Sequence, residues 1–193
     1  MKKTLLITGF DPFGGATVNP SWEAVYRLPD RVGAYNLHKL QIPTVFGKAS
    51  SAVLEEVQKV RPDVILCVGQ AGGRAAVTPE RIAVNIRDAR IPDNAGNRPE
   101  GQFVTEAGPA AYFATVPVKE MAGAIVAAGL PGAVSNSAGA FVCNDTLYTL
   151  LHRFHGTATQ VGFIHVPWIP EQGSPSLALE DTVRALEAAI AAL

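Results

Sequence analysis

Cys143 stands at a junction. The small and polar residues Ser135-Asn136-Ser137-Ala138-Gly139-Ala140 lead through Phe141 and Val142 into a stretch where Leu147, Leu150, Leu151 and Phe154 fall at i, i+3, i+4 and i+7. That spacing predicts an amphipathic helix, and it puts Cys143 in the first turn. The partial positive charge and free N–H groups of a helix N-terminus favour a thiolate, the form in which a thiol attacks. The other cysteine, Cys67, lies inside Val64-Ile65-Leu66-Cys67-Val68 and reads as a small packing residue.

A cysteine nucleophile needs a base, and the base needs a group to orient it. Of the four histidines, His38 sits in a polar, alternating segment. His152 and His155 lie more than two turns along the predicted helix and cannot reach back to Cys143. His165, in Gly162-Phe163-Ile164-His165-Val166-Pro167, ends an apolar run and is the candidate base. The acid stays open on spacing alone: Glu80, Asp93 and Glu171 all occur in loops or at strand starts. Asp145 points away from Cys143, because i and i+2 do not share a helix face. Gly9-Phe10-Asp11-Pro12-Phe13-Gly14-Gly15 fits neither nucleotide-loop pattern. Its two aromatics are either core residues or an apolar wall for a flat, uncharged ligand. Gly69-Gln70-Ala71-Gly72-Gly73-Arg74 is either an anion-binding nest or the carrier of the Gln70 amide, which both donates and accepts.

The elements that must hold these residues alternate. Strands are predicted at 4–8, 37–42, 64–68, 81–87, 112–116, 133–136 and 160–166, with Ile82, Val84 and Ile86 on one face of the fourth. Helices are predicted from Asn19-Pro20 to Leu28, and over 48–60, 118–128, from Cys143 onward, and 176–193. The segment 88–105 is loop. Apolar strands separated by helices imply a three-layer α/β/α fold with a mostly parallel central sheet, similar in layout to phosphorylases and hydrolases. Ligands of such sheets bind at the carboxyl ends of the strands, where Phe10–Gly15, Gln70–Arg74, Cys143 and His165 all fall.

The chain's 193 residues suit one domain, 1–193. A net charge of −1 and 17% charged residues give no basic patch for nucleic acid. The apolar stretches are too short to cross a bilayer. The N-terminal Met1-Lys2-Lys3-Thr4-Leu5-Leu6-Ile7-Thr8 reads as a first strand rather than a leader. Two cysteines in such different settings suggest no disulfide, and hence a cytoplasmic protein.

The motifs together resemble the pyrrolidone-carboxylate peptidases (pyroglutamyl peptidase I), a family of cysteine peptidases. The matching segments are Gly9–Gly14, Gly69–Arg74, Pro79–Asn85, Asp88–Asn94, Ser135–Asn144 and Gly162–Pro167, in the family's order and across almost the whole chain. The resemblance implies removal of an N-terminal pyroglutamyl residue from peptides, with Cys143 as nucleophile, His165 as base and Glu80 as orienting acid. It implies Arg90 and backbone N–H groups near Cys143 at the oxyanion. It puts Phe10, Phe13 and Phe141 around the lactam and Gln70 on its polar edge. It further implies a homo-tetramer and neither metal nor cofactor. Three features depart from the family: Asp145 where a non-acidic residue, commonly His, is usual; Arg87 where an acid is usual; and a shortened stretch around Glu171–Pro175.

The chemistry suits the residues. Pyroglutamate is a neutral lactam, so its site should be apolar on the faces and polar only at one edge. An ordinary amino terminus brings an ammonium whose unpaired burial costs several kcal/mol. Two other readings share the layout. A nucleoside-phosphorylase-like enzyme would use Arg74 and Arg90 for phosphate and leave Cys143 idle. A non-catalytic binding module would bind the lactam without thiol reactivity.

Overall fold

The structure, a computed structural model, describes residues 3–193; Met1 and Lys2 of the N-terminal stretch lie outside it. The chain runs β1 (Lys3–Phe10), α1 (Pro20–Arg27), β2 (Arg31–Val32), β3 (Tyr35–Ile42), α2 (Lys48–Val60), β4 (Val64–Gln70), β5 (Thr78–Pro79), β6 (Ile82–Val84), β7 (Ala111–Phe113), α3 (Val118–Ala127), α4 (Val142–Arg153), β8 (Gln160–Val166) and α5 (Leu179–Ala191). Six strands form one sheet in the order β2-β3-β1-β4-β8-β5. The pairs β3–β1, β1–β4 and β4–β8 are parallel, and the short outer strands β2 and β5 are antiparallel to their neighbours.

Local chemistry explains the helix boundaries. Asn19 caps α1 by accepting from the Ser21 N–H at 3.1 Å, with Pro20 at the first helical position. Arg61 ends α2 in the left-handed conformation at φ 48°, before Pro62 prevents continuation.

The two-residue period of the strands sorts the core. Leu5 and Ile7 of β1, Leu66 and Val68 of β4, and Ile164 and Val166 of β8 pack on one face against side chains of α1, α3 and α5, including Val25, Ile125 and Leu186. Leu6 and Phe10, Ile65 and Cys67, and Val161 and Phe163 face the other way, toward Val53 of α2 and Leu147 and Leu151 of α4. Each fully buried Leu or Ile contributes about 2 kcal/mol. By the same parity Gly69 and His165 belong to the α2/α4 face, and the register pairs them directly.

Three local expectations are corrected. The alternation at 81–87 yields only β6, paired with β7 in a separate two-stranded sheet. There Ala83 and Asn85 are buried while Ile82, Val84 and Ile86 are half-buried, because β6 packs on α4 with the face opposite to its bulkier side chains. The segment 133–136 is not a regular strand; it touches the sheet through isolated parallel bridges, Val77 with Gly132 and Glu80 with Ser135. The last helix begins at Leu179 rather than Ser176, since Ser176 bridges to Trp168. No helix among the described residues is long and apolar enough to cross a membrane.

Candidate active site

Cys143 is the second residue of α4. The residue before the helix, Phe141, is extended and makes no side-chain capping bond, so no cap consumes the N–H groups of the first turn. The two residues after the thiol anchor the helix end. Asn144 accepts from the Val84 N–H at 2.9 Å and donates to the carbonyls of Val84 and Ile86 at 2.8 and 2.9 Å. Asp145 accepts from Gly47 N–H at 2.9 Å and from Arg87 Nε at 2.6 Å.

The sulfur comes to rest on the sheet where a side chain is missing. A Cβ on Gly69 would stand 2.9 Å from Cys143 Sγ and 2.8 Å from Phe163 Cζ. Only glycine lets the thiol approach the β4 backbone there. Gly69 is the cross-strand partner of His165, and neighbouring strands are about 4.8 Å apart. Sheet register thus delivers the imidazole to the thiol.

Behind the imidazole lies a buried relay. His165 Nδ1 meets Glu80 Oε1 at 2.7 Å. Because the carboxylate accepts, the neutral ring carries its proton on Nδ1 and turns the Nε2 lone pair outward. The same oxygen accepts from Arg74 Nη1 at 2.6 Å; Arg74 also donates to Thr78 Oγ1 at 2.6 Å and to the Ser137 carbonyl at 3.0 Å. Glu80 is fully buried, and its Oε2 has no partner among the described residues.

Burial sets the protonation states. It pushes the Cys143 thiol up to about 12, helped by the nearby Glu80 charge and opposed by Arg74. Burial thus opposes the thiolate that the helix N-terminus favours, at a thiol that is half-buried. Burial also lowers His165, against the pull of Glu80. For Glu80 burial acts upward, but the His165 hydrogen bond and charge together with Arg74 outweigh it, and the carboxyl lies below its ordinary range. These directions favour a neutral thiol beside a neutral imidazole backed by a carboxylate.

Cys143 and His165 open into a cavity of about 520 Å³ whose walls include Phe13, Phe141, Gln70 and Arg90. The rings of Phe13 and Phe141 are 6.2 Å apart, and Phe46 braces Phe141 edge-on at 5.3 Å. Gln70 Oε1 accepts from Gln172 Nε2 at 3.2 Å. A hollow of about 550 Å³ adjoins it across Phe13 and Gln70, with Trp168 and Ile169 in its wall; it contains none of the reactive groups.

Seven of the eight residues singled out from the sequence come together here. Phe10 does not line the cavity. It is 2% exposed and packs on Phe163 at 6.2 Å, because its position in β1 turns it into the α2/α4 core. The other acids are engaged elsewhere: Asp93 accepts from Phe46, Ala95 and Asn97, Asp145 from Arg87, and Glu171 borders the adjoining hollow. Three residues escaped the sequence reading in these roles: Arg74, Gln172 and Phe46. A signal existed for Arg74, since a carboxylate destined for burial needs a nearby cation. Two of the three departures from the family pattern, Arg87 and Asp145, are partners of each other. Among the described residues no cluster of three or more His, Cys, Asp or Glu could hold a metal ion.

The profile of the pyroglutamyl peptidase family matches residues 3–193. A pyrrolidone-carboxylate peptidase of Levilactobacillus brevis is 54% identical over 98% of this chain and 96% of its own length. One from Bacillus amyloliquefaciens is 49% identical over 98% and 91%. Among solved structures, pyroglutamyl peptidase I of Bacillus amyloliquefaciens superposes with a TM-score of 0.95 at 48% identity, covering 98% of this chain and 96% of that one. The pyrrolidone carboxyl peptidase of Thermococcus litoralis does so with a TM-score of 0.93 at 34% identity, covering 98% and 92%.

Proposed function

This chain belongs to the pyroglutamyl peptidase family, and from that premise we propose that it removes N-terminal pyroglutamate from peptides with Cys143 as nucleophile, His165 as general base and acid, and Glu80 as the group that orients His165. The observation that carries the assignment is the sequence of contacts Sγ over Gly69, Gly69 beside His165, and His165 Nδ1 on Glu80 at 2.7 Å.

The lactam lies against Phe13 and Phe141 with the Gln70 amide at its polar edge. Its ring fits there without a charge, whereas a free amino terminus would bring an unpaired ammonium. As Sγ bonds to the pyroglutamyl carbonyl carbon, the thiol proton passes to His165 Nε2. The oxyanion meets the uncapped N–H groups at the start of α4, with Arg90 at the cavity wall; one such donor is worth about 3 kcal/mol of barrier. The C–N bond then breaks and the imidazolium gives its proton to the leaving amine. Water adds to the thioester, its proton going to His165 and back to the departing sulfur, which regenerates the thiol and frees pyroglutamate. Glu80 stabilises the imidazolium and fixes its tautomer, and Arg74 holds Glu80 in place.

The same reading takes residues 1–193 as one peptidase domain that works as a homo-tetramer in the cytoplasm. Two free cysteines suit a reducing compartment, and the exposed Phe103 and Phe113 offer apolar surface for self-association. Sedimentation at micromolar concentration checks the assembly; a monomer would refute it. The phosphorylase-like alternative is not favoured, since Arg74 is already committed to Glu80, Thr78 and Ser137.

The direct test is cleavage of a pyroglutamyl aminocoumarin amide. Turnover should be lost on alkylation and in Cys143→Ala, with an unchanged circular dichroism spectrum. Turnover surviving in Cys143→Ala would sink the assignment.

A further inference from the structure

The segment after Gly132 runs beside β5 and uses only half of its backbone. Ala133 N–H donates to Val77 O at 3.2 Å, Ser135 N–H to Pro79 O at 2.9 Å, and Arg81 N–H to Ser135 O at 2.8 Å. In an extended chain the groups of alternate residues point the opposite way. Val134 and Asn136 accordingly have no backbone partner among the described residues, and Asn136 is exposed. They border a shallow groove of about 440 Å³, walled also by Arg74, Thr78, Ser135 and Ser137. Arg74 and Ser137 line the catalytic cavity as well, so the groove continues that cavity.

Direction follows from the chemistry. On the peptidase reading, on which this inference rests, the lactam sits against Phe13 and Phe141. The leaving amine takes its proton from His165, on the side of Glu80 and Arg74. The rest of the substrate therefore departs toward Ser137 and Asn136. We propose that the peptide beyond the pyroglutamyl residue passes along this groove and pairs as an added strand with the free edge of Val134 and Asn136. Main-chain pairing reads no side chains, so the edge would hold many peptide sequences alike while favouring peptides over small amides.

A strand on an edge is engaged at every second residue, and that alternation is the signature to measure. Wild-type protein is given pyroglutamyl-tetraalanine amide, and the same peptide N-methylated at either the second or the third peptide bond after the scissile one. One methyl should lower kcat/KM about five-fold, mainly through KM, as the loss of one hydrogen bond would; its neighbour should lower it less than two-fold. Equal losses at both positions, or none, would overturn the proposal. A pyroglutamyl aminocoumarin amide is run alongside. If it is not cleaved, the peptidase reading itself fails; if it is cleaved and no alternation appears, the edge alone fails. As a second approach, Asn136→Pro deletes one edge N–H while keeping an extended backbone. It should lower the ratio of kcat/KM for the peptide to that for the aminocoumarin amide about five-fold. An unchanged ratio there, with a fallen ratio in Ile169→Ala, would put the peptide in the hollow beside Trp168 and overturn the proposal.

Discussion

Two ion pairs near the start of α4 are nearly identical on paper. Arg74–Glu80 and Arg87–Asp145 both measure 2.6 Å, both carboxylates are fully buried, and the arginine side chains are 29% and 26% exposed. Their third partners differ. Glu80 meets His165, a group that can gain a proton during the reaction. Asp145 meets the Gly47 N–H, which cannot. The first pair thus feeds charge toward the thiol, and the second ties α4 to the start of α2 and to the strand-following loop that carries Arg87. A buried Arg–carboxylate pair is therefore no sign of chemistry by itself; what the remaining valences of the carboxylate touch decides its role.

The comparison can be broken most sharply at Glu80. Glu80→Gln keeps the shape but cannot stabilise an imidazolium, and kcat of the folded protein should fall by about 10²–10⁴-fold, whatever the loss of the Arg74 pair costs in stability. Should kcat stay within two-fold, Glu80 would be scaffolding like Asp145. Gly69→Ala comes next. The new Cβ displaces Sγ or Phe163, and a misplacement of about 1 Å costs about 10²-fold in turnover; wild-type turnover in this variant would mean that the thiol works from another position.

The other pair should respond in stability. Asp145→Ala leaves Arg87 and the Gly47 N–H without their partner and should cost about 3 kcal/mol in denaturant unfolding, while kcat of the folded protein falls far less than in Glu80→Gln. The double variant Arg87→Met/Asp145→Leu should recover most of that stability, as apolar replacements of buried pairs do. Failure to recover, with kcat lost as well, would make the pair part of the chemistry.

The smallest effect is in pH dependence. His165 is lowered by burial, so the acid limb of kcat/KM should lie below pH 6.5. Glu80 pulls His165 upward, so the limb in Glu80→Gln should move further down. Both His165 and Glu80 have depressed folded values; their contributions to stability are present above their ordinary pKa values and are lost as the pH falls through the folded ones. An acid limb above 6.5, or an unmoved limb in Glu80→Gln, would contradict the neutral resting pair.

Much of the frame was legible because it is local. The periods of 3.6 and 2 residues placed α2 at Lys48–Val60 and β8 at Gln160–Val166, and they put Cys143 in a helix's first turn. Phe10 was misjudged because an aromatic at the end of a strand is equally plausible as core or wall until a neighbour such as Phe163 is known. The resting thiolate fraction was not legible, because a helix terminus is visible in sequence but the burial that opposes it is not.

The sequence by itself determined the alternation of elements, the cysteine at a helix start and the histidine at a strand end, and its motifs pointed to a family. Only tertiary structure decided that Glu80, 85 residues from His165 along the chain, shares an oxygen between His165 and Arg74. It alone joined Arg87 to Asp145 across 58 residues. The reason is physical: periodicity is set by the backbone within a few residues, whereas distant partners are set by sheet register and by the demand that every buried charge find a counter-charge.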